Sequence, residues 1–455
     1  MRGRTDYNWR QRQIQTDAGR NQALNLTDDK WNVIVVGAGA AGLMAAASAG
    51  VRGRRVLVLE KNTKIGVKIL MSGGTRCNIT HNCDARGIAD AFERRQGKFL
   101  RSALAALSPE EVIHKIESLG VETKVEDTGK IFPVSNKAID VRDALVTLAT
   151  DAGAKLLTEH PVTNILQRDS AASVDEPAGF MVQTEQQQFE AKNLIITTGG
   201  KSYPGCGTTG DGYAWAESFG HSIVKTVPAL APVVCDREWV HELKGITIED
   251  CELSVFPESQ AVKGKPKRLD TRRGPLLFTH FGFSGPTAMN ISRAVTRFGL
   301  DNPVNEKLVM RCDFLPTLTP DQLTDRFNQQ KQRTGKQVVG QLLSPFFPRR
   351  LVEALLAQAD IPQSQNNGEL SKKQVQRLVD VVKQTDFPLN GTQGYKKAEV
   401  TAGGVNLKEV DSCNMHSKSV PGLFFAGEIL DIDGPIGGFN FQAAFSTGWL
   451  AGQHV

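Results

Sequence analysis

WNVIVVGAGAAGLMAAASAGVRGRRVLVLE, residues 31–60, is the stretch whose reading decides the fold. Val33, Ile34, Val35 and Val36 form an unbroken run of β-branched residues, the pattern of a strand buried on both faces. Gly37, Gly39 and Gly42 follow at once in GxGxxG spacing, and an alanine-rich helical run comes next. The three glycines act differently. The first turns the chain, the second makes room for a pyrophosphate, and the third lets helix and strand close together. Ala40 and Ala41 open the helix, where unpaired N–H groups face a phosphate. A second strand, 56–59, ends on Glu60, where a carboxylate accepts hydrogen bonds from ribose hydroxyls, and Lys61 follows it. The expectation is an α/β, Rossmann-like dinucleotide-binding unit.

The chain has 455 residues, more than one core usually holds, so two or three lobes are expected. With 40% hydrophobic and 23% charged residues it reads as an ordinary globular protein, and no apolar run is long enough to span a membrane. A net charge of +5, from 54 basic and 49 acidic residues, is too slight to demand a nucleic-acid or membrane partner. Cys77, Cys83, Cys206, Cys235, Cys251, Cys312 and Cys413 are odd in number and contain no CxxC pair, which argues against a disulfide framework or a structural metal and fits the reducing cytoplasm. Residues 1–30 are basic and polar without the apolar core of a secretory signal, and read as a disordered tail. Asp6 and Asp17 weigh against an organelle transit peptide.

Beyond Glu60, the run KIGVKILMSGGTRCN (64–78) is a basic, glycine-rich loop suited to wrapping the next part of a long cofactor, with Lys68, Gly73, Gly74, Arg76 and Asn78 facing it. Helices are expected at 98–107, 109–119 and 140–152, and strands at 121–125, 130–132, 155–166, 180–184 and 193–198. Gly205, Gly207 and Gly210 repeat the GxGxxG spacing, but residues 199–204 separate them from the preceding strand, so no second dinucleotide site is read there. From 226 to 390 the texture changes to short strands, then helices across 320–359 and 371–383. The basic run KGKPKRLDTRR (263–273) reads as a solvated hairpin loop ahead of an anionic partner site.

Two further strands, EVTAGGV (399–405) and GLFFAGE (422–428), lead into the loop GPIGGFN and a helix expected at 442–451. A glycine loop feeding a helix start presents backbone donors and a positive dipole end, which suits the pyrimidine edge of a flavin, negative when reduced. Gly404, Gly427, Gly437, Gly438, Phe439 and Asn440 complete the cofactor-facing set.

Taken together, the fingerprint, KILMSGGTRCNIT, TTGGKSYPGCGTTGDGYAWAESFGH, LLFTHFGFSGP, AEVTAGGV and GLFFAGEILDIDGPIGGFNFQAAFSTGWLAG resemble the NAD(P)/FAD-dependent oxidoreductases, the group holding aminoacetone oxidase and a bile-acid dehydro-reductase. The resemblance implies an FAD domain of glutathione-reductase type, split in sequence into 31–225 and 393–455, around an inserted β-barrel with a small helical piece at 226–392. It further implies that Glu428 binds the flavin ribitol, that the Val162 backbone touches the adenine, and that Thr198 and Gly199 line the pyrophosphate side. It names no substrate.

The function expected is hydride transfer through FAD, with NAD(P)H as transient donor, to a small molecule: reduction of an activated double bond, or oxidation of an amine or ketone. A redox sensor without turnover, or an RNA-associated flavoprotein, is the rival. His280 is the candidate catalytic residue, on the insert facing the cofactor across the domain boundary, with His81 and Tyr203 behind it. Cys77 and Cys83 do not suit a redox disulfide, because six helical positions turn about 600° and six strand positions span roughly 20 Å.

Overall fold

The computed structural model describes residues 30–168, 179–261, 267–302 and 306–455. Nearly all of the tail read at 1–30, and positions 263–266 of the basic run, lie outside the described residues.

Trp31–Val36 is a strand with almost no access to water. Its parallel neighbours are Val56–Leu59 on one edge, Val33 opposite Val56, and Gln188–Ile196 on the other, Ile34 opposite Leu194. Lys155–Leu157 extends the sheet past Val56–Leu59, and Leu423–Phe425, from the far end of the chain, adds in parallel to the last residues of Gln188–Ile196. Gly179–Thr184 and Val162–Arg168 finish a seven-stranded sheet in antiparallel fashion. This is a mixed α/β fold of Rossmann type.

The helix after the fingerprint, Ala40–Gly50, is buried at every position. A helix apolar all round needs cover on all sides, and here Phe439–Gln453 packs along the face that the sheet leaves open. That packing runs at glycine distance, since a Cβ added at Gly448 would sit 2.2 Å from the Ala41 carbonyl oxygen and one at Gly452 2.3 Å from that of Ala45. Gly42 is equally constrained, its added Cβ falling 1.9 Å from the Gly37 oxygen.

Ile223–Ala229 and Val400–Val405 pair antiparallel and carry the chain out of this lobe and back. Between them a six-stranded antiparallel sheet runs in the order Val233–Val234, Gly282–Ser284, Asp270–Thr279, Thr247–Pro257, Leu308–Asp313, Thr385–Leu389. The residues after the last strand return to the first: the Val234 N–H donates to the Gly391 oxygen at 2.9 Å, and the Asn390 N–H to the Val234 oxygen at 2.9 Å. Its core is filled by aromatic side chains, with Phe283 edge-on to Phe387 at 4.7 Å and Phe278 edge-on to Phe283 at 5.3 Å. Pro320–Arg333, Gly340–Leu343, Arg349–Gln358 and Lys372–Gln384 form the helical piece beside it.

Several local expectations are revised. The single strand expected at 155–166 is broken, because Glu159 takes a left-handed conformation, φ 59°, just before Pro161. The loop at 64–78 contains a helix, Val67–Thr75, kinked where Ser72 is extended and Gly73 and Gly74 take positive φ. The helical stretch 320–359 is interrupted ahead of Gly340 and again at Pro348, which cannot continue a helix. Of the basic run, Arg272 and Arg273 belong to a strand, and Arg273 makes a bidentate ion pair with Asp250 at 2.7 Å.

Candidate functional site

A cavity of about 630 Å³ opens at the ends of the parallel strands, lined by Val36, Leu59, Glu60 and Thr197. Clefts outside the carboxyl ends of such strands are where this class of sheet binds ligands. On its first wall, Gly39 caps Ala40–Gly50 without a side-chain partner, and a Cβ there would meet nothing within 4 Å. The position is open, as close approach of a phosphate requires. Glu60 is 8% exposed and faces the same space. Its carboxylate accepts the Ala38 N–H at 2.9 Å and both the backbone and side-chain N–H groups of Asn62, each at 2.9 Å.

The kinked helix Val67–Thr75 supplies the second wall, and two loops lock together behind it. Asn78, with its amide turned to satisfy both ends, donates to the Thr80 oxygen at 3.0 Å and accepts the Gly438 N–H at 2.8 Å. Asn440 staples the following loop, accepting the Gly434 N–H at 2.8 Å and donating to the Gly434 oxygen at 2.9 Å. Gly438, φ 91°, then caps Phe439–Gln453 with no side chain of its own. Two helix starts thus reach the cavity uncapped, each with free N–H groups and a positive end.

Among the sequence-derived cofactor residues, Gly37, Gly39, Ala40, Ala41, Glu60, Lys61, Lys68, Gly73, Gly74, Arg76, Asn78, Val162, Thr198, Gly199, Gly427, Glu428, Gly437, Gly438 and Asn440 line this cavity. Gly42, Gly404 and Phe439 stand behind the lining. Gly42 and Gly404 serve close packing, the latter with its added Cβ 2.4 Å from the Ile429 oxygen, while the Phe439 ring stacks on His81 at 4.6 Å. His280 is outside the lining, exposed in the turn between Asp270–Thr279 and Gly282–Ser284, its ring edge-on to Phe281 at 5.0 Å. Cys77 and Cys83 are free thiols, and burial pushes Cys77 up to about 12.

The cavity lining also holds groups that the sequence does not single out, Cys206, Leu230, Glu399, Val400 and Ile436, beside the weaker sequence candidate Tyr203. Glu428 is tied down, its Oε2 2.5 Å from Lys68 Nζ and its Oε1 accepting the Thr401 N–H at 2.9 Å. Glu399 takes no hydrogen bond or ion pair through its carboxyl among the described residues; burial pushes it above the usual carboxylate range, against the pull of Lys68 and Lys130. Tyr203 is pushed up by burial first and by the charge of Glu399 next. The Cys206 Sγ lies 3.0 Å from the Met71 Sδ.

A Rossmann sheet whose fingerprint glycine is open to a deep cavity, with two uncapped helix starts and an acid at the second strand's end, fits a long dinucleotide carrying a ring system, and defines an FAD-dependent oxidoreductase. The chain belongs to the family described as HI0933-like protein Rossmann domain, which it matches over residues 31–454. Among its relatives, the ribosomal RNA dihydrouridine synthase of Haemophilus influenzae is 34% identical, covering 93% of this chain and 98% of that protein. The protein of the same name from Escherichia coli is 32% identical, covering 94% and 98%. The 3-dehydro-bile acid delta(4,6)-reductase of Clostridium scindens is 31% identical, covering 92% and 97%.

Proposed function

We propose that this chain is an FAD-dependent reductase of carbon–carbon double bonds conjugated to a carbonyl, supplied with electrons by NAD(P)H, and that its substrate is a uridine in ribosomal RNA. The observation that carries this reading is the shared chemistry of relatives matched over at least 92% of the chain. Dihydrouridine is uridine saturated at a double bond conjugated to a ring carbonyl, and the bile-acid reductase is named for double bonds beside a 3-oxo group. One reaction describes both. The RNA substrate is preferred because the relatives at 34% and 32% identity both carry that name. The cavity lining itself carries no cationic surplus, since Lys61, Lys68, Arg76 and Lys130 are matched by Glu60, Asp211, Glu399 and Glu428.

In this reading the start of Ala40–Gly50 would hold the FAD pyrophosphate, Glu60 its ribose hydroxyls, and Gly437 and Gly438 its ring edge. When bound, it supplies the hydride chemistry. The chain's own residues bind and orient: the helix starts stabilise negative charge, and Leu230, Val400 and Ile436 form an apolar platform facing the substrate. The domain architecture belongs to the same proposal: an FAD domain of glutathione-reductase type at 31–225 and 393–455, and an inserted β-barrel with a helical piece at 226–392. The return of residues 390–392 to Val233–Val234 supports the barrel. The proposed location is the cytoplasm; no helix among the described residues is long and apolar enough to cross a membrane. Gly205 lies within a 3-10 turn, Pro204–Cys206, and Gly207 and Gly210 come after it, so none follows a strand, and the nicotinamide is taken to share this cavity with the substrate in turn. Ping-pong kinetics follow from that sharing.

The test is direct. Purified protein loaded with FAD is given NADH or NADPH and ribosomal RNA transcribed in vitro, and the RNA is digested and assayed for dihydrouridine. Dihydrouridine formed only with both cofactors supports the reading. Absence of dihydrouridine, with rapid oxidation of the reduced flavin by a 3-oxo-Δ4 steroid, transfers the substrate to the bile-acid class; no electron transfer to either overturns the double-bond chemistry.

A further inference from the structure

We infer that Glu399 is the proton donor of the substrate half-reaction, delivering a proton to the carbon α to the carbonyl. The inference rests on the double-bond reading above, and deepens it. Glu399 stands at the entry to Val400–Val405, one of the paired strands that carry the chain between the two lobes, and its backbone is held by the Glu399 N–H to the Leu230 oxygen at 3.0 Å. Its side chain is exposed to solvent and forms part of the cavity lining, so bound cofactor and substrate would share that space with it. Filling that space with cofactor and substrate removes the water and raises the cost of a carboxylate there.

Of the four acids lining the cavity, Asp211 is taken up by Lys61 and Thr209, and the other three differ in a way that singles one out. Glu60 and Glu428 commit their oxygens to N–H groups and a lysine. Their oxygens are already occupied as acceptors. Glu399 has no such partner among the described residues, so gaining a proton costs it no bond. Among the other proton carriers nearby, the Cys206 thiol already contacts Met71, and Tyr203, pushed above the ordinary phenol range, is a weaker acid than a carboxyl. A general acid works best when its titration lies near the working pH, and a carboxyl displaced upward by burial moves toward that range.

Atoms and electrons balance in this step. A hydride, two electrons and one proton taken from NAD(P)H by way of the flavin, adds to the carbon β to the carbonyl. The carbon–carbon π bond breaks, its electron pair moves toward the carbonyl, and the α carbon forms a bond to the proton released by Glu399. The product is saturated and Glu399 is left as a carboxylate facing Lys68 and Lys130, which ease its brief charge. Solvent returns the proton after product leaves.

The experiment pre-reduces FAD-loaded protein with NADPH and mixes it with ribosomal RNA transcript or a 3-oxo-Δ4 steroid, following flavin oxidation across pH. Glu399→Gln is expected to slow this half-reaction about 10²- to 10⁴-fold, far more than it affects reduction of the flavin by NADPH, and Glu399→Asp to recover part of the loss. The wild-type rate is expected to fall as pH rises through the carboxyl's titration, and the Gln variant to lose that fall. Infrared difference spectra provide an independent reading: a protonated-carboxyl stretch in the FAD-loaded protein, absent from Glu399→Gln. A Gln variant that keeps both rate and pH profile, while Tyr203→Phe or Cys206→Ser loses them, overturns Glu399 as donor and leaves the reductase reading standing. A wild-type protein that passes electrons to neither acceptor overturns that reading, and the inference with it.

Discussion

The two largest hydrophobic cores among the described residues solve opposite problems. Around Trp31–Val36 the chain is built from small residues: the crossover helix is largely alanine, Gly448 and Gly452 bring a second helix against it, and Gly39 leaves a gap. Backbone is thereby brought near the cavity, with its N–H groups free. Inside the six-stranded sheet, Phe278, Phe283, Phe314 and Phe387 are all fully buried and meet edge to face. There side chains fill the space that backbone leaves. Where glycine and alanine let two helices close on each other, backbone approach shapes the site and leaves room for a large ligand, whereas the phenylalanine cluster closes on itself. Mutations should therefore fail differently in the two.

The largest effect is expected within the fingerprint, and it should separate two glycines three residues apart. Gly42→Val forces a Cβ toward a carbonyl oxygen at 1.9 Å and has no backbone freedom to relieve it, so soluble folded protein should be lost. Gly39→Val enters open space with φ −84°, a conformation any residue accepts. It should fold with an unchanged circular dichroism spectrum, yet fail to retain FAD. Loss of folding in both, or FAD retained by Gly39→Val, would break the division of labour between the glycines.

The second core offers the counterpart. Phe387→Ala removes a ring that touches Phe283 at 4.7 Å and Trp239 at 5.4 Å. Such truncations typically cost about 3–5 kcal/mol. Denaturant unfolding should show that loss while the FAD stoichiometry stays at wild type. A proportional loss of flavin would mean that the two cores unfold as one cooperative unit.

This division also explains what can be read from sequence. The fingerprint and the GPIGGFN loop are local: Gly37 to Glu60 and Gly434 to Asn440 state their geometry in residue spacing, and the structure brings most of them to one cavity. The break at Glu159 is hidden because apolar residues flank it on both sides, so periodicity runs through a turn. The kink at Ser72 is hidden by the opposite effect, two glycines that read as loop although a helix reaches them. His280 stands out by residue type and by its place at a presumed boundary, whereas the side chain stands in an exposed turn. Glu399 escapes notice for the converse reason. Nothing in AEVTAGGV marks its first acid as unpaired, since that depends on which partners the fold withholds.

Smaller effects are expected where the cofactor's hydroxyls meet carboxylates. Glu60→Ala and Glu428→Ala should each weaken FAD binding by about 1–3 kcal/mol, measured by fluorescence titration of apoprotein. The pair also probes how the two cores are joined, because Glu428 holds the Thr401 N–H in Val400–Val405, the strand paired with Ile223–Ala229. Glu428→Ala should therefore lower the unfolding midpoint of the apoprotein more than Glu60→Ala does, beyond its effect on FAD.

An effect spread over several pH units tests the contact of the helix Gly285–Asp301 with Asp433. Arg293, on the helix Gly285–Asp301, reaches Asp433 at 3.2 Å and Glu93 at 2.9 Å, while Gln96 Nε2 donates to Asp433 Oδ1 at 3.0 Å. Arg95 approaches the neighbouring Asp431 at 3.5 Å. Burial outweighs the attraction of Arg293 and raises Asp433 from 3.8 to about 7, with the charges of Glu93 and Asp431 adding to it. A carboxyl raised on folding binds its proton more tightly in the native state, so its contribution is fully present below the unfolded value and disappears as pH rises through the folded one. Between pH 4 and 7, then, this group should make wild-type stability fall with rising pH, by at most about 1.4 kcal/mol per unit. Asp433→Asn keeps an oxygen for Gln96 and cannot titrate, so its unfolding free energy should lose that component of the slope while other groups keep theirs. Urea titrations of both proteins at several pH values give the difference directly. Parallel slopes would show that Asp433 stays charged beside Arg293, making the contact an ion pair rather than a protonated one.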